Sequence, residues 1–471
     1  MKKTIKLALV AAMAIGATSA FATNGDNLIG LGAKSRGMAG AGIGMSHGAE
    51  SGLSNPALIK GEEVTFGGTI FMPDVKFNNA MTFPTPAGMA TVGTEQASSD
   101  SDLSVIPEVA VSVEVNKHFA WGVGMYGVAG MGVDYRDDAA QYQGNNYAGT
   151  KSGTNQILTN LQLMRFALPL VYKNKGFSLA VSPILQYGSL SISYNNGAAI
   201  TAPQIQPNGT VAYGSMPVNT GNGVSQDFGF GYNVGLAYEW NNLTIGAVYT
   251  SAIDMEYKNQ ISVATKQFGL NRGAGLSDNL EQPAEYGVGL SYKIKNAHTL
   301  AFDYKNIAWS SAKGYEDFKW EDQDVFIVGY QYQAKKWAFR LGYNYASNPI
   351  KEQTAGNMMT DYDGAVINYF NAAGFPATVE SHYAIGGSYQ VSDKIGLDFA
   401  YTYAPEVTES YDTSALSQYQ VYAGAYGQYK AAGAPDAQAA GGAQQAAGAT
   451  SSEATVKHSQ QAVSLAMTIK F

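Results

Sequence analysis

The sequence predicts an all-β fold: a 14-stranded antiparallel transmembrane β-barrel with an N-terminal hatch, or plug, inside its lumen. Three observations predict it. Apolar residues alternate with small or polar ones over fourteen stretches, the connections between them alternate short and long, and the last stretch runs to a terminal Phe471. Period-2 alternation sends successive side chains of a strand to opposite faces.

The clearest stretch is 227–240. Phe228, Phe230, Tyr232, Val234, Leu236, Tyr238 and Trp240 take one face, and Asp227, Gly229, Gly231, Asn233, Gly235, Ala237 and Glu239 the other. After Asn241-Asn242 the pattern resumes with Leu243, Ile245, Ala247 and Tyr249. Asn tolerates the left-handed conformation, so the pair reads as a tight hairpin turn. The fourteen expected strands are 63–77, 104–115, 118–135, 158–173, 176–194, 226–240, 243–258, 284–295, 298–312, 324–334, 336–347, 381–391, 394–410 and 457–471. Short turns fall at 116–117, 174–175, 241–242, 296–297, 334–335 and 392–393. Long loops fall at 78–103, 136–157, 195–225, 259–283, 313–323, 348–380 and 411–456. The last loop is Ala/Gly/Gln-rich and reads as mobile, low-complexity chain.

Composition agrees. With 31 tyrosines, 54 glycines and 14% charged residues, charge is roughly half the ordinary share. That suits one large sheet with aromatic girdles better than several soluble domains. A soluble sandwich also alternates, but its polar face would be rich in Lys and Glu, whereas here it is mostly Gly, Ala, Ser, Thr and Asn. Closure into a barrel pairs every backbone group, as lipid demands. No later stretch reaches the 18 apolar residues of a membrane helix.

Residues 1–22 read as a signal peptide, with Lys2, Lys3 and Lys6, an apolar run over 7–15, and Ala20-Phe21-Ala22 as the cleavage site. Its removal leaves 26 basic against 37 acidic residues, a net of −11, which argues against nucleic acid as a partner. The absence of cysteine excludes disulfides and thiolate metal sites. His47, His118, His298, His382 and His458 show no metal spacing, and neither G-x-S-x-G nor H-E-x-x-H occurs, so neither catalysis nor a cofactor is expected.

Residues 23–61 carry ten glycines and no sustained period, yet include Leu28, Ile29, Leu31, Met38, Ile43 and Leu53. Such a segment cannot fold alone and needs a surrounding wall. It is the expected hatch, with 62–471 the barrel. In the third strand Phe119, Trp121, Val123 and Met125 are bulky on the lipid-side parity, and Gly127 and Ala129 break that face. Glycine within a strand marks a bulge, a bend or simple curvature. Gly127, Val128, Ala129 and Gly130 are therefore the candidate lateral opening. Asp303, Lys305, Arg340 and Asp398 fall on the inner parity and are expected to pair with one another or with Lys34, Arg36 and Glu50.

Several stretches are shared with a known family. Gly30-Leu31-Gly32 with Arg36-Gly37, and Ser54-Asn55-Pro56-Ala57-Leu58-Ile59, are similar to its hatch. Met72-Pro73-Asp74-Val75, Phe119-Ala120-Trp121-Gly122, Asn306-Ile307-Ala308-Trp309-Ser310 and Trp337-Ala338-Phe339-Arg340-Leu341-Gly342 follow in the same order. In these the chain resembles the FadL family, outer-membrane transporters of long-chain fatty acids and other hydrophobic molecules. The resemblance implies passive, ligand-gated transport. A hydrophobic small molecule is caught at extracellular loops, a hatch containing Asn55, Pro56, Ala57, Leu58 and Ile59 shifts, and the ligand leaves sideways past the third strand.

Candidate capture residues are Ile200, Ile205, Val211, Tyr213 and Met216 in one loop and Ile261, Val263, Phe268 and Leu270 in the next; mutual packing is the alternative. Arg340, Lys305 and Arg165 are the candidate contacts for a carboxylate, Arg offering a two-pronged donor. The family's basic residue on the fifth strand has no counterpart, since 183–194 lacks Lys and Arg. An uncharged hydrocarbon thus stays open as the ligand. The resemblance further implies a monomer surrounded by outer-membrane lipid and lipopolysaccharide, assembled by the barrel-assembly machinery through its C-terminal strand. A general polar-solute porin or an adhesin-like surface barrel is the alternative.

Overall fold

A computed structural model describes residues 23–85, 88–143, 146–200, 204–205, 211–212 and 215–471, and the expected signal peptide lies outside them. Strand β1 spans Glu63–Thr85, β2 Ser104–Glu114 and β3 Phe119–Asp134. Strand β4 comes in two pieces, Leu158–Ala167 and Leu170–Asn174, parted at Pro169, which has no N–H to give to a ladder. Then follow β5 (Phe177–Ile200), β6 (Ser225–Trp240), β7 (Leu243–Thr250), β8 (Glu285–Ile294) and β9 (His298–Ile307). The last five are β10 (Gln323–Gln333), β11 (Trp337–Ala346), β12 (Ser381–Gln390), β13 (Ile395–Asp412) and β14 (Ser451–Lys470).

Each strand pairs antiparallel with the next, and β14 returns to β1 in register from Ser451↔Thr82 to Lys470↔Glu63. The cylinder therefore has no edge strand. Outward side chains are large and bare: Phe228 is 57% exposed, Phe230 78% and Trp240 61%. A continuous apolar belt of this kind is stable only against lipid.

All fourteen expected strands are present, with changed ends. Strands β7 and β9 stop at Thr250 and Ile307, short of 258 and 312. There the chain turns inward to cover the long-loop mouth, burying Ile253, Met255, Tyr257 and Trp309. The long loops also hold helices: α1 (Ile261–Gln267), α2 (Asp363–Ala373), α3 (Ser414–Ala431) and α4 (Asp436–Gly448). The last two correct the expectation of an irregular 411–456 loop. Alanine is the strongest helix former, and Ala439, Ala443 and Ala447, one per turn, are fully buried where α4 packs on α3.

Residues 23–61 lie within the ring, touching opposite walls. The Asp303 carboxylate of β9 accepts from the backbone N–H groups of Gly42, Ile43 and Gly44 at 2.7, 2.8 and 3.2 Å. Across the lumen Arg36 Nη1 reaches Glu108 of β2 at 2.8 Å and donates to Thr69 of β1 at 2.5 Å. Inner-face glycines make room for this contact. A Cβ on Gly246 would fall 1.9 Å from the Ile43 carbonyl oxygen, and one on Gly342 2.2 Å from the Met38 backbone. Most of the segment's apolar residues end buried, Ile29, Met38, Leu58 and Ile59 almost completely and Leu31 in part.

Candidate functional site

The wall has a window. Strand β2 pairs with β3 from Glu114↔Ala120 up to Glu108↔Tyr126 and no further. Above the gap, Asp100 N–H donates to the Asp134 carbonyl at 2.8 Å and Asp134 N–H to Ser99 Oγ at 3.0 Å. Pro107 stands where the pairing ends, a position a strand proline tolerates. Among the described residues, only the N-terminal segment bonds the freed edge of β3. Asn27 bridges Ala129, and Gly130 N–H donates to the Asp26 carbonyl at 3.0 Å. Next to it Leu28 packs with Phe71 and Ile106 behind the opening.

On its other side β3 bulges. Met164 of β4 pairs with Gly127 and Leu163 with Ala129, leaving Val128 unopposed. One extra residue inverts the parity of everything that follows. Ala129, expected on the lipid face, instead points inward with Met131 and Val133, all three buried, and the glycines at 130 and 132 take the outer face.

The Asp26–Asn27 turn also carries a polar chain from the cap into the lumen. Asp26 Oδ2 accepts from Tyr315 Oη at 2.5 Å and Oδ1 from Gln282 Nε2 at 3.0 Å. The same Gln282 nitrogen donates to Asn27 Oδ1 at 2.9 Å, and Asn27 Nδ2 donates to Glu285 at 3.3 Å. Glu285 in turn holds Lys305 at 2.8 Å and Arg165 at 3.9 Å. Burial pushes the Asp26 carboxyl up to about 6, while the bonds from Tyr315 and Gln282 and the charge of Arg165 pull it back. Gly25 enables the turn: its φ is +65°, and a Cβ would fall 2.4 Å from the Trp309 ring.

Below the turn is a cavity of about 90 Å³ lined by Leu28, Ile29, Leu31, Ile43, Leu53 and Val128 together with Arg165, Glu285 and Lys305. Arg165 donates through Nε to Gln186 at 2.8 Å, while its Nη2 is buried with no hydrogen-bond partner among the described residues. Above the turn a crevice of about 10 Å³ runs between Met131, Leu280, Tyr315, Phe318, Trp320 and Phe375. Tyr315 thus belongs to both the crevice and the Asp26 network.

The other expected residues are spread out. Asn55 donates to the Ile43 and Leu236 carbonyls at 2.8 and 3.1 Å and accepts from Ala57 N–H at 3.1 Å. Pro56 is buried beside it, and Ala57, Leu58 and Ile59 pack on Ala120, Val171, Ala180 and Ala237. These five anchor the segment near the short turns and do not line the cavity. Arg340 is far from Arg165 and Lys305, in a polar recess with Asp398 at 3.9 Å. Ile261, Phe268 and Leu270 are buried in the cap and Val263 half-buried; the Phe268 ring lies 4.7 Å from Tyr194 and 4.8 Å from Phe370. Met216 is exposed. Ile200 extends β5 and Ile205 pairs with Val211 in a small hairpin, while Tyr213 lies outside the described residues. Sequence reasoning missed Asp26, Gln282, Glu285 and Tyr315; the ladder gap adjoins the expected 127–130 stretch, and Pro107, inside an expected strand, is a second signal of it.

The profile described as outer membrane protein transport protein (OMPP1/FadL/TodX) matches residues 8–441. The chain belongs to this family. As an OMPP1/FadL/TodX member it is a multi-pass bacterial outer-membrane protein of the transport class, with short turns on the periplasmic side and long loops outside. Outer membrane protein P1 of Haemophilus influenzae is 23% identical over 400 residues, covering 77% of this chain and 83% of that protein. A Pseudomonas aeruginosa FadL homologue superposes with a TM-score of 0.61 at 16% identity, over 95% of this chain and 100% of that one. The Pseudomonas putida toluene transporter TodX gives 0.56 at 16%, with 95% and 100% covered. Both solved structures share the OMPP1/FadL/TodX fold with this chain.

Proposed function

We propose that this protein carries hydrophobic molecules inward through the outer membrane and releases them sideways between β2 and β3 into the lipid. The observation that carries the reading is the window above Tyr126, stoppered by Asp26–Leu28 of the N-terminal segment rather than by a neighbouring strand. A cavity of about 90 Å³ is smaller than the roughly 150 Å³ that accepts benzene. A ligand tail therefore requires the hatch to shift, which is gating by the ligand itself. The buried, unpartnered Arg165 Nη2 favours a carboxylate head, so long-chain fatty acids are the first substrate class.

An uncharged hydrocarbon is the second reading, favoured by the 2.8 Å bond that already occupies Lys305 with Glu285. The chain contains no cysteine, which permits a clean test of the window. Asn27 and Ala129 are bridge partners, so their Cα atoms lie at roughly 4.5–5.5 Å, within reach of a disulfide. The oxidised Asn27→Cys/Ala129→Cys protein should lose uptake and regain it on reduction. Uptake that continues with the disulfide formed refutes the sideways path.

A further inference from the structure

We propose that the periplasmic end of the lumen holds a binding site for a small polyvalent oxyanion. A cavity of about 260 Å³ opens there, apart from the Arg165–Glu285–Lys305 cavity. Its lining carries five cations, Lys34, Lys335, Lys336, Arg340 and Lys470, against two carboxylates, Glu63 and Asp398. This local excess of positive charge sits in a chain whose formal net charge is −8.

Base and rim are built differently. At the base Arg340 and Asp398 are each 4% exposed. Arg340 donates to Gln331 Oε1 and Ser388 Oγ, both at 2.7 Å, so its fork is fixed. Lys34 Nζ lies 3.7 Å from both Glu50 and Asp398 and donates to Thr468 at 3.2 Å. Both lining acids are engaged, since Glu63 accepts from Ala49 N–H at 2.9 Å and Asp398 faces Lys34 and Arg340. The rim is free. Lys335 and Lys336 sit on the turn between β10 and β11 and Lys470 ends β14, and among the described residues none has a carboxylate partner.

Cations gathered around a concavity with low-dielectric walls focus a positive potential into it. An anion bridging base and rim relieves their repulsion. At about 30 Å³ per water the space takes a molecule the size of phosphate, pyrophosphate or a small polycarboxylate. Its polar lining excludes the grease expected in the other cavity.

The test is calorimetric titration of inorganic pyrophosphate into the full chain in zwitterionic nanodiscs, where no lipid head offers a rival net anion. One saturable event per chain is expected, weakened by added salt and by roughly tenfold or more in Lys335→Ala/Lys336→Ala/Lys470→Ala. These lysines are exposed and outside the transport path, so the variant should fold and keep its uptake of hydrophobic substrate, whichever substrate that proves to be. The absence of saturable heat, or equal affinity in the triple variant, overturns the site.

Discussion

Replacing Asp303 by alanine should loosen the hatch without opening the sheet. Three N–H groups of residues 42–44 converge on that carboxylate at 2.7, 2.8 and 3.2 Å, and the side chain takes no part in the strand ladder. Hydrogen bonds to a charged acceptor contribute about 1.5 kcal/mol each at the low end, about 4.5 kcal/mol for three. Removing a buried carboxylate offsets about 2 kcal/mol of that through relieved desolvation. The net loss of about 2–3 kcal/mol corresponds to roughly 30- to 150-fold more frequent release of the segment. Amide hydrogen exchange followed by mass spectrometry reads this directly, as faster exchange in peptides covering 42–44 with β-sheet circular dichroism unchanged. Asp303→Asn, which keeps one acceptor oxygen, should fall between. Exchange within roughly twofold of wild type in the alanine variant would falsify the idea that this carboxylate holds the hatch.

Other substitutions address the path itself. Gly130→Trp and Gly127→Trp should abolish uptake in a folded barrel by filling the window; unchanged uptake in both would remove the window from the mechanism. Arg165→Ala should reduce fatty-acid uptake roughly tenfold, the loss of one charge-assisted contact, and leave a matched hydrocarbon untouched; equal effects on both would sink the carboxylate reading. Asp26 binds its proton more tightly in the closed turn, with a pKa of about 6 against 3.8 in water. The closed turn is therefore most stable below the lower value and loses stability as pH rises through the higher one. Uptake limited by hatch release should rise between about pH 4 and about pH 6, level off above that, and become flat in Asp26→Asn; a flat wild-type profile contradicts this. Gly246→Val would force the Ile43 carbonyl away from the wall and should produce a steady conducting state in single-channel recordings, against brief or no openings in wild type.

The wall was legible because lipid imposes one rule along the whole chain. Every strand must show an apolar face, so fourteen alternating stretches and the inward parity of Asp303, Lys305, Arg340 and Asp398 could be read residue by residue. Parity gives the face but not the height. Arg165, Lys305 and Arg340 all point inward, yet two share Glu285 while the third lies near the periplasmic turns, because height depends on strand register and barrel stagger. Parity also fails past a bulge, which is why Ala129 was assigned to the wrong side of the wall. The Asp26, Gln282 and Tyr315 contacts come from loops far apart in the chain, where no period exists to follow. The α3–α4 hairpin was hidden for another reason: alanine-rich sequence reads as low complexity until a second alanine helix packs against it.

The position of the window follows from the cost of the alternative. A straight route would end in the periplasmic recess, whose lining is five cations, two carboxylates and several amides. Each methylene passed from an apolar site into water costs about 0.8 kcal/mol, so a tail of about ten methylenes leaving that way meets about 8 kcal/mol. Passing it between β2 and β3 exchanges an apolar cavity for lipid, and the tail pays almost none of this. The wall must then forgo a few ladder bonds between 127 and 133, and Asp26 and Asn27 meet part of that loss whenever the hatch is home. On the proposed sideways path, opening the window and freeing the cavity are one movement of the same turn. Any variant that uncouples the two, such as a hatch cut before Leu28, should leak hydrophobic solute without requiring a ligand to trigger release, which dye uptake into intact cells would reveal; tight, ligand-dependent uptake by such a variant would separate the gate from the turn.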